Sequence, residues 1–211
     1  VVPAFQGTEK YWPHLNFDAK GTAHLLFITR SPAQVWYMKN ATPDNTSGWT
    51  TPVNISGDTA REWVAPRLAA DNDGDVYVAW YGNTAGYESA TEEVWFNKTV
   101  NGVWQTKVNL TNTPGRSEGP SIAVNPATKD VYLAYHELLD TSNWEVMLMV
   151  NEVQPNGQRG WSTPVNMTQN PGHDGEPCIR VDSKGGIHLA YHYTDASGSA
   201  EIYYTFKAGG V

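Results

Sequence analysis

Pro66-Arg67-Leu68-Ala69-Ala70-Asp71-Asn72-Asp73-Gly74-Asp75-Val76-Tyr77-Val78-Ala79-Trp80-Tyr81 joins a short apolar run, an acidic turn and an alternating run, and the chain returns to this design three more times. The relatives begin at Pro13, Pro120 and Pro177, so the leading prolines are 53, 54 and 57 residues apart. A fixed period of this length marks a repeat architecture. In each copy Asp18, Asp71, Asn125 or Asp182 caps the turn through its side chain. Gly21, Gly74 or Gly185 supplies a positive φ, and the second run ends on Phe27, Trp80, Tyr135 or Tyr191. Each copy therefore reads as a hairpin.

Outward from the hairpins, third strands are expected near Val35–Lys39, Glu93–Val100, Glu145–Glu152 and Glu201–Lys207. Fourth strands follow at Trp49–Ser56, Trp104–Thr111 and Trp161–Thr168. Pro52 and Pro164 suit an edge position, where one row of N–H groups is unpaired anyway. The fourth copy ends after its third strand, and Val1–Phe5 is the one strand left over. The expectation is a single all-β domain, 1–211, folded as a four-bladed β-propeller of four-stranded antiparallel blades. Its last blade is completed by the N-terminal strand, its own or a neighbour's.

Composition agrees with an all-β chain: 12% of the 211 residues are aromatic, nine of them Trp, and no stretch sustains a 3.6-residue apolar period. A formal net charge of −8 argues against nucleic acid and anionic lipid as partners. No run approaches the roughly 20 apolar residues of a membrane span. The opening Val1-Val2-Pro3 reads as a processed end. The lone Cys178 is expected in the core. Asn40, Asn45, Asn54, Asn97, Asn109 and Asn166 each begin an Asn-x-Ser/Thr triplet, which points to an N-glycosylated, extracellular or cell-surface protein. Asn54, Asn109 and Asn166 occupy one repeat position, so an unmodified strand-end role stays open for them.

The repeat resembles those of the sialidase-like, Asp-box β-propeller superfamily. The resemblance rests on degenerate boxes before the outer strands: Asp44-Asn45-Thr46-Ser47-Gly48-Trp49, Asn101-Gly102-Val103-Trp104 and Asn156-Gly157-Gln158-Arg159-Gly160-Trp161. It covers nearly all of the chain as a weak pattern. It implies four-stranded blades and, for enzymes of the group, six-bladed wheels with an arginine triad and a Tyr/Glu nucleophile pair. Of the arginines here, only Arg61 and Arg116 share an equivalent position.

Loops entering the innermost strands and leaving the second strands would share one face of such a wheel. They concentrate Arg61, Glu62, Arg116, Glu118, His136, Glu137, Asp174, Glu176 and His192 there, as a ligand-binding face or as solvated loop charges. Trp12, Trp63, Tyr81 and Tyr193 offer flat faces to sugars or pack between blades. The leading expectation is a non-catalytic binding or surface-assembly module. It would take a glycan or protein ligand, with self-assembly possible through exchange of Val1–Phe5. The alternative is a glycoside hydrolase of sialidase-like type, with Glu118 and either Glu137 or Glu176 as its carboxyl pair. No cofactor is expected. Asp71 to Asp75 lacks the twelfth-position Glu of a calcium loop and reads as an Asx turn. His136 and His192 lack a third ligand for zinc.

Overall fold

A computed structural model describes residues 9–30, 33–57, 65–83 and 92–208, and every regular element among them is a strand. The first sheet is β1 (Lys10–Phe17), β2 (Ala23–Arg30), β3 (Ala33–Asn40) and β4 (Val53–Asn54), antiparallel in that order. The second holds β5 (Arg67–Ala70), β6 (Val76–Asn83) and β7 (Glu92–Val100), with the short β8 (Val103–Trp104) and β9 (Val108–Asn109) both on β7. The third begins with β10 (Ser117–Val124), β11 (Val131–Leu138) and β12 (Trp144–Val153), with β13 (Arg159–Trp161) and β14 (Val165–Asn166) on β12. It continues into β15 (His173–Val181), β16 (Ile187–Thr194) and β17 (Ala200–Lys207) through a single parallel pair, Trp144 with His173. Among the described residues no helix is long and apolar enough to cross a membrane.

Period-two alternation explains how the sheets stack. On β6, Val76, Val78 and Trp80 face Leu26, Ile28, Val35 and Tyr37 of the first sheet. The intervening Tyr77 and Ala79 face Ile122, Leu133, Tyr135 and Met149 of the third. Ala123, Ala134 and Val146 then meet Ile179 and Leu189 of β15 and β16. A strand buried on both faces must be apolar at every position, which is why the Val76–Trp80 run contains no charge. Each fully buried Val or Leu contributes about 1.5–3 kcal/mol.

The four hairpin turns form as expected. Asp18 Oδ1 accepts the Lys20 and Thr22 N–H groups, Asp71 Oδ1 those of Asp73 and Asp75, Asn125 Oδ1 that of Ala127, and Asp182 Oδ1 those of Lys184 and Gly186. Where the third copy has no turn glycine, Lys129 takes the positive φ, at 61°. The acids of the second turn are all engaged. Asp73 pairs with Lys129 at 2.5 Å, and Asp75 accepts from Thr99 Oγ1 and from the Asn101 and Gly102 N–H groups.

Within the described residues the ladders form three open sheets, and β17 is exposed along its whole length. The strand Val1–Phe5, expected to complete the last blade, lies outside the described residues. Cys178 is exposed rather than in the core, because the position after Pro177 turns it toward the space between the innermost strands.

Candidate active site

The leading prolines shape the site. Proline has no N–H to give a ladder, and the residue before each one has a positive φ: Trp12 at 54°, Ala65 at 52°, Gly119 at 58° and Glu176 at 47°. In β10 the register passes from Glu118 opposite His136 to Ser121 opposite Ala134, leaving Gly119 and Pro120 against Tyr135 alone. The same shift occurs in β1 between Tyr11 and His14, and in β15 between Gly175 and Cys178. Such bulges bend a strand and re-aim its side chains. A Cβ on Gly119 would lie 2.5 Å from His136 Cε1, so glycine is required there. Glu176 holds the corresponding conformation without that freedom, a strain of a kind found at functional positions.

At these bulges a carboxyl cluster assembles. Arg116, just before β10, bridges Glu92 at the start of β7 and Glu118 on β10. Its Nη2 lies 2.6 Å from Glu118 Oε1 and also contacts Glu92 Oε2, to which Nε donates. Both glutamate side chains are less than one-fifth exposed. Burial, the hydrogen bond and charge of Glu92, and the charge of Glu176 outweigh Arg116 and push the Glu118 carboxyl up to about 8. The fold therefore biases the Glu118 carboxyl toward its protonated form. Burial, then the charges of Glu118, Glu92 and Glu176, push the Tyr81 phenol up to about 12.

An imidazole group adjoins the carboxyls. Burial, then the charges of His173, His192 and Arg116, pull His136 down to about 4, so its ring is neutral. Its Nδ1 accepts the Glu176 N–H at 3.3 Å, which leaves the proton on Nε2. Trp144 stacks on His173 at 5.7 Å and meets His136 edge-on at 5.1 Å, while His173 and His192 lie 5.4 Å apart. A carboxyl raised by burial beside further carboxyl groups is an arrangement that acid–base chemistry uses.

Of the residues expected on this face, Arg116, Glu118, His136, Glu176 and His192 are brought together. Glu137 is not: it pairs with Ser117 on the ladder, turns to the opposite face from Glu118, and receives the Tyr135 hydroxyl at 3.5 Å. Asp174 is fully buried and takes the Asn170 amide, and burial raises its carboxyl. Arg61, Glu62 and Trp63 lie outside the described residues. Glu92 was missed because it opens a third strand. Its ladder partner Asn83, at the end of β6 two residues after Tyr81, was the available signal.

The Asn-x-Ser/Thr triplets have structural work of their own. Ser56, Thr111 and Thr168 accept the Val35, Val94 and Val146 N–H groups at 3.0, 2.9 and 3.1 Å. Asn54, Asn109 and Asn166 accept the N–H of the same hydroxyl residues two positions on. Asn40 and Asn97 are buried, and a glycan on either would have to displace packed neighbours. Asn45 is exposed.

No family model and no curated protein matches the chain. Solved structures do. A protein of unknown function from Dyadobacter fermentans aligns with a TM-score of 0.68 at 13% identity, over 99% of this chain and 70% of that one. Penicillium chrysogenum alpha-L-arabinanase complexed with arabinobiose aligns at 0.66 and 12%, over 94% and 62%. Hadza microbial sialidase Hz136 aligns at 0.58 and 12%, over 87% and 42%. The chain thus spans between 42% and 70% of the length of these neighbours. The expectation of a non-catalytic binding or assembly module is corrected by them: the neighbours with a stated activity are glycoside hydrolases, which back the alternative reading. In its fold, the chain is similar to the sialidase-like β-propeller enzymes.

Proposed function

We propose that the chain carries catalytic groups of a glycoside hydrolase, with Glu118 as the general acid. The observation that carries this is the carboxyl cluster itself: Glu92 and Glu118, both largely buried, meet on the one Arg116 guanidinium, with the Glu118 carboxyl raised by that burial. A glycosidase needs one carboxyl protonated for the leaving oxygen and another ionised to attack or to activate water. Arg116 positions the Glu92–Glu118 pair, and Glu176, held on its bulge, is the candidate second carboxylate. Tyr81 contributes a neutral phenol. The repeats at 13, 66, 120 and 177 act as four blades of a propeller, with the single Trp144–His173 pair linking two of them.

Charge favours a neutral sugar. Three glutamates surround the site, and Arg116, its guanidinium among the described residues, is already engaged by two of them. An anionic sugar would meet repulsion, so an arabinoside of the kind seen in the arabinobiose-bound neighbour suits the site better than a sialoside. Such polymers and the exposed Asn45 triplet accord with an extracellular setting.

The test is turnover of an aryl α-L-arabinofuranoside, linear arabinan and an aryl sialoside. The expected result is hydrolysis of the arabinosides that falls at least about a hundredfold in Glu118→Gln. Absence of turnover on every substrate, or an unchanged rate in the variant, would overturn the assignment.

A further inference from the structure

Between the innermost strands β1, β5, β10 and β15 lies a cavity of about 300 Å³, large enough for an ion or a monosaccharide unit. Its wall carries two guanidinium groups, Arg67 on β5 and Arg180 on β15, together with the His14 imidazole of β1. Neither arginine has a carboxylate within ion-pair distance among the described residues. Arg67 Nη1 donates to the Pro66 carbonyl at 3.3 Å, and Arg180 Nη1 to the Ile179 carbonyl at 2.6 Å. The other N–H groups of both forks have no protein acceptor among the described residues. In a chain with 22 acidic residues and a net charge of −8, two arginines that line one cavity and form no ion pair among the described residues are placed to take an anionic ligand.

Two neutral donors complete the arrangement. The Leu68 N–H donates to His14 Nδ1 at 3.3 Å, which leaves the ring proton on Nε2. Ser121 Oγ accepts the Ile179 N–H at 3.1 Å and keeps its own hydroxyl proton to give. Burial, then the charges of Arg67 and Arg180, pull His14 down to about 4, and all three residues line the cavity. The one carboxylate on the wall, Glu176, sits on the β15 bulge four residues before Arg180 and forms no ion pair with either arginine.

We propose that this cavity is an anion site in which Arg67 and Arg180 hold an oxyanion, with His14 and Ser121 as supporting donors. A guanidinium fork matches a carboxylate or sulfate with two parallel hydrogen bonds. The anion is either a free inorganic ion or the acidic substituent of a glycan. The inference stands apart from the hydrolase reading, since it concerns binding and none of its donors belongs to the carboxyl cluster.

Calorimetry at pH 7 and constant ionic strength, with chloride as the background ion, tests it using sulfate, methyl glucuronide and methyl glucoside. Saturable binding of an anion is expected, with none of the neutral glucoside. Arg67→Gln and Arg180→Gln should each weaken it about ten- to a hundredfold, the loss of one charge-assisted pair. His14, followed by NMR, should titrate higher with the anion bound. Tighter glucuronide than sulfate assigns the site to an acidic glycan, and the reverse assigns it to a free ion. No saturable anion binding, equal binding of the glucoside, or unchanged affinity in Arg180→Gln would overturn the proposal. Arg180 is exposed, so that variant decides the matter even if Arg67→Gln fails to fold.

Discussion

At the residue scale, Glu118 makes its own demand on stability. Its carboxyl is raised from 4.5 to about 8 in the fold, so the folded state holds a proton that the unfolded chain releases. Such a group stabilises most fully below pH 4.5, and its contribution is lost as pH rises through 8. His14 and His136 act in the opposite sense. Both are lowered from 6.5 to about 4, so they remove stability as pH falls through that window and are silent above it. Between pH 6.5 and 8, therefore, Glu118 is the one of the three that still changes. The urea midpoint should decline across that interval, and Glu118→Gln should flatten the decline; an equal slope in the variant would show that Glu118 is not the source. Glu176 offers a second measurement. Its φ of 47° is the conformation that Gly119 fills in the preceding unit. Glu176→Gly should therefore stabilise the fold by about 1 kcal/mol while lowering hydrolysis, because it relieves backbone strain and deletes a carboxylate together. A destabilised variant in thermal unfolding would mean that the strain is not there.

At the scale of the element, the outermost strands β4, β9 and β14 are only two residues long, and their hold on the sheet comes from the hydroxyl residue that follows. Thr168 accepts the Val146 N–H and donates to the Glu145 carboxylate, which also takes the Gln169 N–H at 2.6 Å; Thr111 and Glu93 repeat the scheme. Thr168→Val should cost about 1–3 kcal/mol, since it leaves a buried N–H and part of a carboxylate unpaired. Denaturant unfolding of this variant beside Thr163→Val, at an exposed position, separates the latch from a general effect of valine. The triplet shows that one legible pattern can have two causes. Asn-x-Thr is a glycosylation code and also a way to close a strand end, and the letters are the same for both. The hairpins were legible because turn chemistry is local: Asp18, Asp71, Asn125 and Asp182 make their bonds within a few residues. Glu137 was misplaced for a related reason. It neighbours His136 in sequence, but period-two alternation sends the pair to opposite faces, so a list of loop residues overstates what can meet. Glu92 comes from a different sheet, and only the stacking of β7 against β10 brings it to Glu118.

For the whole molecule, what joins the sheets is apolar packing shared by neighbours. One cluster ties the first sheet to the second, another the second to the third, and a third ties β10–β12 to β15 and β16. Repeat spacing announces such a stack but not its closure, because closure depends on how far each sheet turns relative to the next, a rotation no short motif encodes. The described residues leave the stack with two uncovered ends. Leu15 and Phe17 on β1 are about half exposed, and on β17 Ile202 is 78% and Tyr204 62% exposed. If stability resides in the shared clusters, apolar side chains of equal size should differ sharply according to where they sit. Leu133, fully buried between the second and third sheets, should cost about 2–5 kcal/mol on replacement by alanine. Ile202→Ala should stay within about 0.5 kcal/mol, because the side chain gives up little burial. The comparison also reports on the open end: a loss at Ile202 comparable with that at Leu133 would mean that β17 is covered in solution, and that the stack continues beyond the last strand described.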